Sequence, residues 1–81
     1  MTTYIALMYK DHDSDFSVSF PDFPGCITAG KTLEDARYMA AEALAFHIDG
    51  MRTGGEPIPE PMTVDAINAD PDNEGALLFL V

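Results

Sequence analysis

Cys26 and His47 are the two side chains whose types suit nucleophilic catalysis, a thiolate attacking while an imidazole takes its proton. Nothing in the sequence marks a third group to orient the imidazole. A lone cysteine inside an apolar run reads instead as a small buried hydrophobe, and His47 as a partly buried packing residue at the edge of a helix. His12 and His47 show no metal-ligand spacing. Asp11, Asp13 and Asp15 alternate as they do at the start of a calcium loop. Phe16, however, stands where that loop needs glycine, so the segment reads as a solvated hairpin turn. Two-metal nucleic-acid cleavage would need carboxylates projecting from strands onto one point. The acids here fall in turns and on the outer face of a helix, and there is no glycine-rich phosphate loop. No catalytic residue, metal or cofactor is expected. What remains is an acidic surface carrying aromatics, and Asp22, Phe23, Glu34, Tyr38 and Glu42 are the expected contacts for a partner.

The overall charge points to the kind of partner. Four Lys+Arg stand against fourteen Asp+Glu, a formal net charge of −10. Affinity for nucleic acid comes from positive side chains that displace counterions, so direct binding of DNA or RNA is not expected. An anionic membrane surface is excluded by the same sign. A basic protein would be steered towards this chain at long range. With one cysteine there is no internal disulfide. Met1 leads straight into a strand pattern without a signal-peptide arrangement, and the longest apolar run, residues 76–81, is too short to span a bilayer. The expected location is cytoplasmic.

The elements that must position these residues are legible in order. At 81 residues there is room for one domain. Its core is thin, because folding at this length hides only about 60–65% of the unfolded chain's surface. Residues 3–9 are rich in β-formers. Residues 16–20 alternate strictly, which sends Phe16, Val18 and Phe20 to the core and Ser17 and Ser19 to water. The two form a hairpin with an acidic tip. Pro21 and Pro24 lack the amide donor a ladder needs, so residues 21–25 turn the chain into a short third strand, 26–29. Gly30 then frees the backbone. Thr32 caps a helix from Leu33 to about Arg52, with Glu34 and Asp35 at its positive end and Gly54 or Gly55 as its stop.

At 100° per residue Leu33, Ala36, Ala40, Leu44, Ile48 and Met51 share a face, with Ala43 beside them; Glu34, Tyr38, Glu42 and Asp49 face outwards. Residues 56–61, with three prolines, form a stiff extended connector. A helical turn follows at 63–68, then a turn at 70–75, then an apolar last strand, 76–81, of the kind covered on both faces. The class is α+β in the order β-β-β-α-β: three antiparallel strands plus a parallel fourth, sheet order 3-2-1-4, with one helix packed on the sheet. A bare edge beside so apolar a last strand implies one of two things: an oligomer, a dimer or tetramer, that covers it, or a chain that continues beyond Val81.

Several of these features together resemble the HicB antitoxin family. They are residues 16–26, FSVSFPDFPGC; the triplet Thr28, Ala29, Gly30; the capped start Thr32, Leu33, Glu34, Asp35, Ala36; Glu42, Ala43, Leu44; and the proline exit 55–61. The resemblance covers nearly the whole chain. It implies a single HicB-like N-terminal domain over 1–81 with a partial RNase H-like fold that lacks the nuclease's catalytic carboxylates. It further implies a non-enzymatic function: binding and blocking a HicA-like toxin, a small basic mRNA-cleaving protein. HicB proteins also typically carry a C-terminal DNA-binding domain, which residues 1–81 lack, so operator binding is not assigned to them. Two other functions compete with this expectation, a solitary oligomeric protein without a toxin and a residual RNase H-type nuclease.

Overall fold

The computed structural model describes residues 2–10 and 12–81. Strand β1 (Ile5–Lys10) pairs antiparallel with β2 (Phe16–Ser19), Leu7 opposite Ser19 and Lys10 opposite Phe16. Asp11, the first aspartate of the hairpin tip, lies outside the described residues. At that tip the Lys10 ammonium donates to the Ser14 carbonyl at 3.1 Å and sits over the Phe16 ring. Strand β3 (Ile27–Gly30) pairs antiparallel with β2 and begins one residue later than the sequence predicts. The reason is local. The Cys26 amide donates to the Phe23 carbonyl and closes the proline turn, so it is not available to the ladder.

Helix α1 (Leu33–Thr53) starts as expected, the Thr32 hydroxyl accepting from the Asp35 amide at 3.0 Å. Replacing Thr32 by Ala leaves that amide without its cap and should cost about 1 kcal/mol. Urea unfolding with an unchanged m-value would show it as a lower midpoint. The helix ends in a Schellman arrangement. The Gly55 amide donates to Arg52 and the Glu56 amide to Met51, while Gly55 takes the left-handed backbone, φ 72°. Of the two glycines the sequence offered as a stop, Gly55 is the one that needs the conformation.

The sheet order is β3-β2-β1-β4, as expected, but the direction of β4 (Leu77–Leu80) is not. It pairs antiparallel to β1, with Ile5 opposite Leu80 and Met8 opposite Leu77. The expected parallel fourth strand is therefore corrected, and so is the part of the RNase H-like expectation that rested on it. The path between α1 and β4 explains why. The extended segment leaves α1 beside the start of β1, where the Tyr4 hydroxyl donates to the Pro59 carbonyl at 2.7 Å. It then rounds the sheet to helix α2 (Val64–Asn68), capped by Thr63, and a 3-10 turn at Pro71–Asn73. Ile67 of α2 packs on Ile5 and Leu7, while the Tyr9 hydroxyl reaches the Asp72 carbonyl near the far end of β1. The chain thus crosses a second time, over the other face, and enters β4 from the opposite end.

Two clusters result, because successive strand residues point to opposite faces. Tyr4, Ala6, Met8, Val18 and Phe20 pack under α1 with Ala36, Ala40 and Leu44. Ile5, Leu7 and Ile67 form the smaller core on the other side. The last strand is less covered than its apolar sequence predicts. Leu77 and Leu80 are exposed, Leu80 at 67%, and β4 forms one edge of the sheet.

Candidate functional site

The five expected contact residues fall into two groups. Glu34, Tyr38 and Glu42 lie one turn apart on the outward face of α1, all exposed; the Tyr38 hydroxyl is 3.4 Å from the Glu42 carboxylate. Asp22 and Phe23 belong to the turn between β2 and β3, near the other end of the helix. Phe23 is not on the surface. It is 1% exposed, its ring edge-to-face with Tyr4 at 4.8 Å and with His47 at 5.7 Å. The phenyl group anchors the proline turn onto the core instead of presenting itself. Asp22 is half-buried, and both its carboxylate oxygens accept from the Met62 amide, at 3.1 and 3.3 Å. It ties the extended connector to the turn.

An open groove of about 490 Å³ lies between that turn and the last third of α1. Asp22, Phe23 and Pro24 form one wall, Phe46, His47, Gly50 and Met51 the other, and Glu56 closes the end. Phe46 is 82% exposed. None of the four Lys+Arg side chains lines it. An open groove with an exposed aromatic ring and an acidic rim suits capture of a side chain from a partner.

The nucleophile and metal candidates gain no support from the geometry. Cys26 is buried, and that burial pushes its thiol pKa up, which leaves less of the reactive thiolate. His47 is engaged with the Phe23 ring. Among the described residues no three His, Cys, Asp or Glu converge closely enough to hold a metal ion. No described helix is long and apolar enough to cross a membrane.

Residues 4–81 match the family model described as the HicB-like antitoxin of bacterial toxin–antitoxin systems. The chain belongs to this family. Among solved structures, this HicB-like domain is similar to the Burkholderia pseudomallei antitoxin HicB, with 32% identity and a TM-score of 0.90, over 100% of this chain and 62% of that one. It is also similar to a chain of the HicA3 and HicB3 toxin–antitoxin complex, with 34% identity and a TM-score of 0.78, over 99% of this chain and 95% of that one. A 14.9 kDa protein from the rep-hol intergenic region of Haemophilus phage HP1 is 36% identical over 66 residues, 82% of this chain and 50% of that protein. The HicB-like chain thus spans about half the length of that relative.

Within the HicB-like fold, Phe46, His47, Gly50 and Glu56 are site residues that pattern reading did not assemble. Two signals pointed to them. Phe46 is a large aromatic placed off the apolar face of α1, and Gly50 is a glycine inside a helix.

Proposed function

We propose that this chain is a non-enzymatic binding domain that neutralises a small, basic HicA-like toxin by forming a direct complex with it. The observation that carries the reading is the similarity, over 99% of this chain, to a chain solved in a HicA3 and HicB3 toxin–antitoxin complex. The net charge of −10 supports it, since a basic ribonuclease would be drawn to such a surface. The four strands carry no Asp or Glu, which favours binding over nuclease chemistry. The exposed edge of β4 supports assembly of several copies, and a cytoplasmic setting fits a toxin that cleaves mRNA.

Co-expression tests the reading. The product of a small basic reading frame neighbouring the gene should arrest growth alone and lose that effect with this chain, and the two should co-purify. Arrest that persists, with no complex on size-exclusion chromatography, would overturn it.

A further inference from the structure

We propose that the groove between the β2–β3 turn and the end of α1 receives an arginine side chain presented by a basic protein partner. This rests on the reading above and names the part of the partner that reaches this site.

Three independent observations carry it. The first is the chemistry of the lining. Phe46 offers an almost fully exposed ring and His47 a second flat surface, with the Asp22 and Glu56 carboxylates at the rim. Asp22 uses its oxygens on the Met62 amide but retains lone pairs, because a carboxylate has about four acceptor sites. A wholly apolar occupant would cover Phe46 and strip water from both carboxylates without replacing it, which is unfavourable. A compact ammonium ion is strongly hydrated and would leave the ring in water. A guanidinium satisfies both requirements, since its plane stacks on aromatic faces and its N–H groups fork to carboxylates.

The second observation is Gly50. It lies inside α1, where glycine is the poorest helix former after proline. A Cβ built there would meet nothing within 4 Å, so the domain's own packing does not require glycine. What the missing side chain does provide is open space in the groove wall. The third is charge. No Lys or Arg of the chain lines the groove, so nothing within it competes for the carboxylates. A second copy, itself at −10, would bring a repelling surface to an acidic rim.

The test uses the whole 81-residue chain, isotope-labelled for NMR, and a blocked Gly-Arg-Gly peptide. Saturable shifts should cluster at His47, Gly50 and the Asp22–Phe23 turn. The citrulline peptide, which keeps shape but not charge, should bind at least about tenfold more weakly, and the lysine peptide should fall between them. Gly50→Leu should fold with its helix intact and lose affinity about tenfold or more, because its side chain occupies the space. Phe46→Ser, a change at an exposed position, should weaken binding without lowering the melting temperature. Shifts scattered over the acidic surface, equal for arginine and lysine and unchanged by Gly50→Leu, would overturn the proposal. So would concentration-dependent shifts at Phe46 without peptide, which would assign the groove to a second copy. Failure of the peptide to bind overturns the groove and leaves toxin neutralisation standing. Failure of the co-expression assay while the peptide still binds the groove overturns toxin neutralisation, and with it the toxin as the source of the arginine.

Discussion

Truncating Phe23 to Ala should destabilise the domain by about 3–5 kcal/mol, the range for removing a buried aromatic side chain. A domain of this size has about 4–12 kcal/mol in total, so the loss is a large share of its stability. The turn's backbone already folds on itself, with the Phe23 amide donating to Phe20 and the Cys26 amide to Phe23, both at 3.0 Å. What the ring adds is the tie between that turn, Tyr4 on the sheet side and His47 on α1. Without it three elements border one cavity, and the hydrogen-bonded turn resists collapsing into it. Phe23→Leu retains most of the volume and loses the edge-to-face contacts, and should cost about 1–1.5 kcal/mol. Urea unfolding of the two variants separates cavity from ring geometry. A Phe23→Ala loss below about 1 kcal/mol would mean that the turn collapses freely and that the ring is not its anchor.

That residue also shows where reading the sequence succeeded and where it stopped. The pattern of Phe16, Val18 and Phe20, the Thr32 cap and the apolar stripe of α1 are local properties, and each reappears in place except for Leu33, the first residue of the stripe, which is 45% exposed and outside the core. Phe23 sits in a proline turn without periodicity, so nothing local says whether its ring points out or in. The direction of β4 failed for a related reason. The proline connector and α2 were legible as elements, but which face of the sheet they cross depends on Ile67 finding Ile5 and Leu7, a contact between distant parts of the chain. The groove was illegible as a site because its residues come from a turn, a helix and a connector. Only the oddities of Phe46 and Gly50 mark it in one dimension.

Gly30→Ala should cost about 3 kcal/mol, at the upper end for overpacking, although it adds one methyl group at a half-exposed position. Gly30 ends β3 opposite Phe16, and α1 begins three residues later. The backbone at Gly30 is not left-handed, so conformational freedom is not what glycine supplies here. It supplies room. A Cβ would fall against the Ala36 backbone and 2.8 Å from the Asp35 carbonyl carbon. Backbone atoms cannot swing aside as the end of a side chain can, so the first turn of α1 must lift from the sheet. Ala36 and Ala40, both fully buried, are the helix's half of the same close approach. Gly50→Ala is the control: the same methyl group, placed inside α1 near its other end, with nothing to strike. It should be neutral or stabilising by about 0.5–1 kcal/mol through helix propensity alone. Two glycine-to-alanine changes of opposite sign, read by urea midpoints, would separate steric docking of α1 from any general effect of glycine on the unfolded chain. Equal midpoints for both variants would show instead that α1 shifts on the sheet without loss, and that the close approach at Gly30 does not hold it.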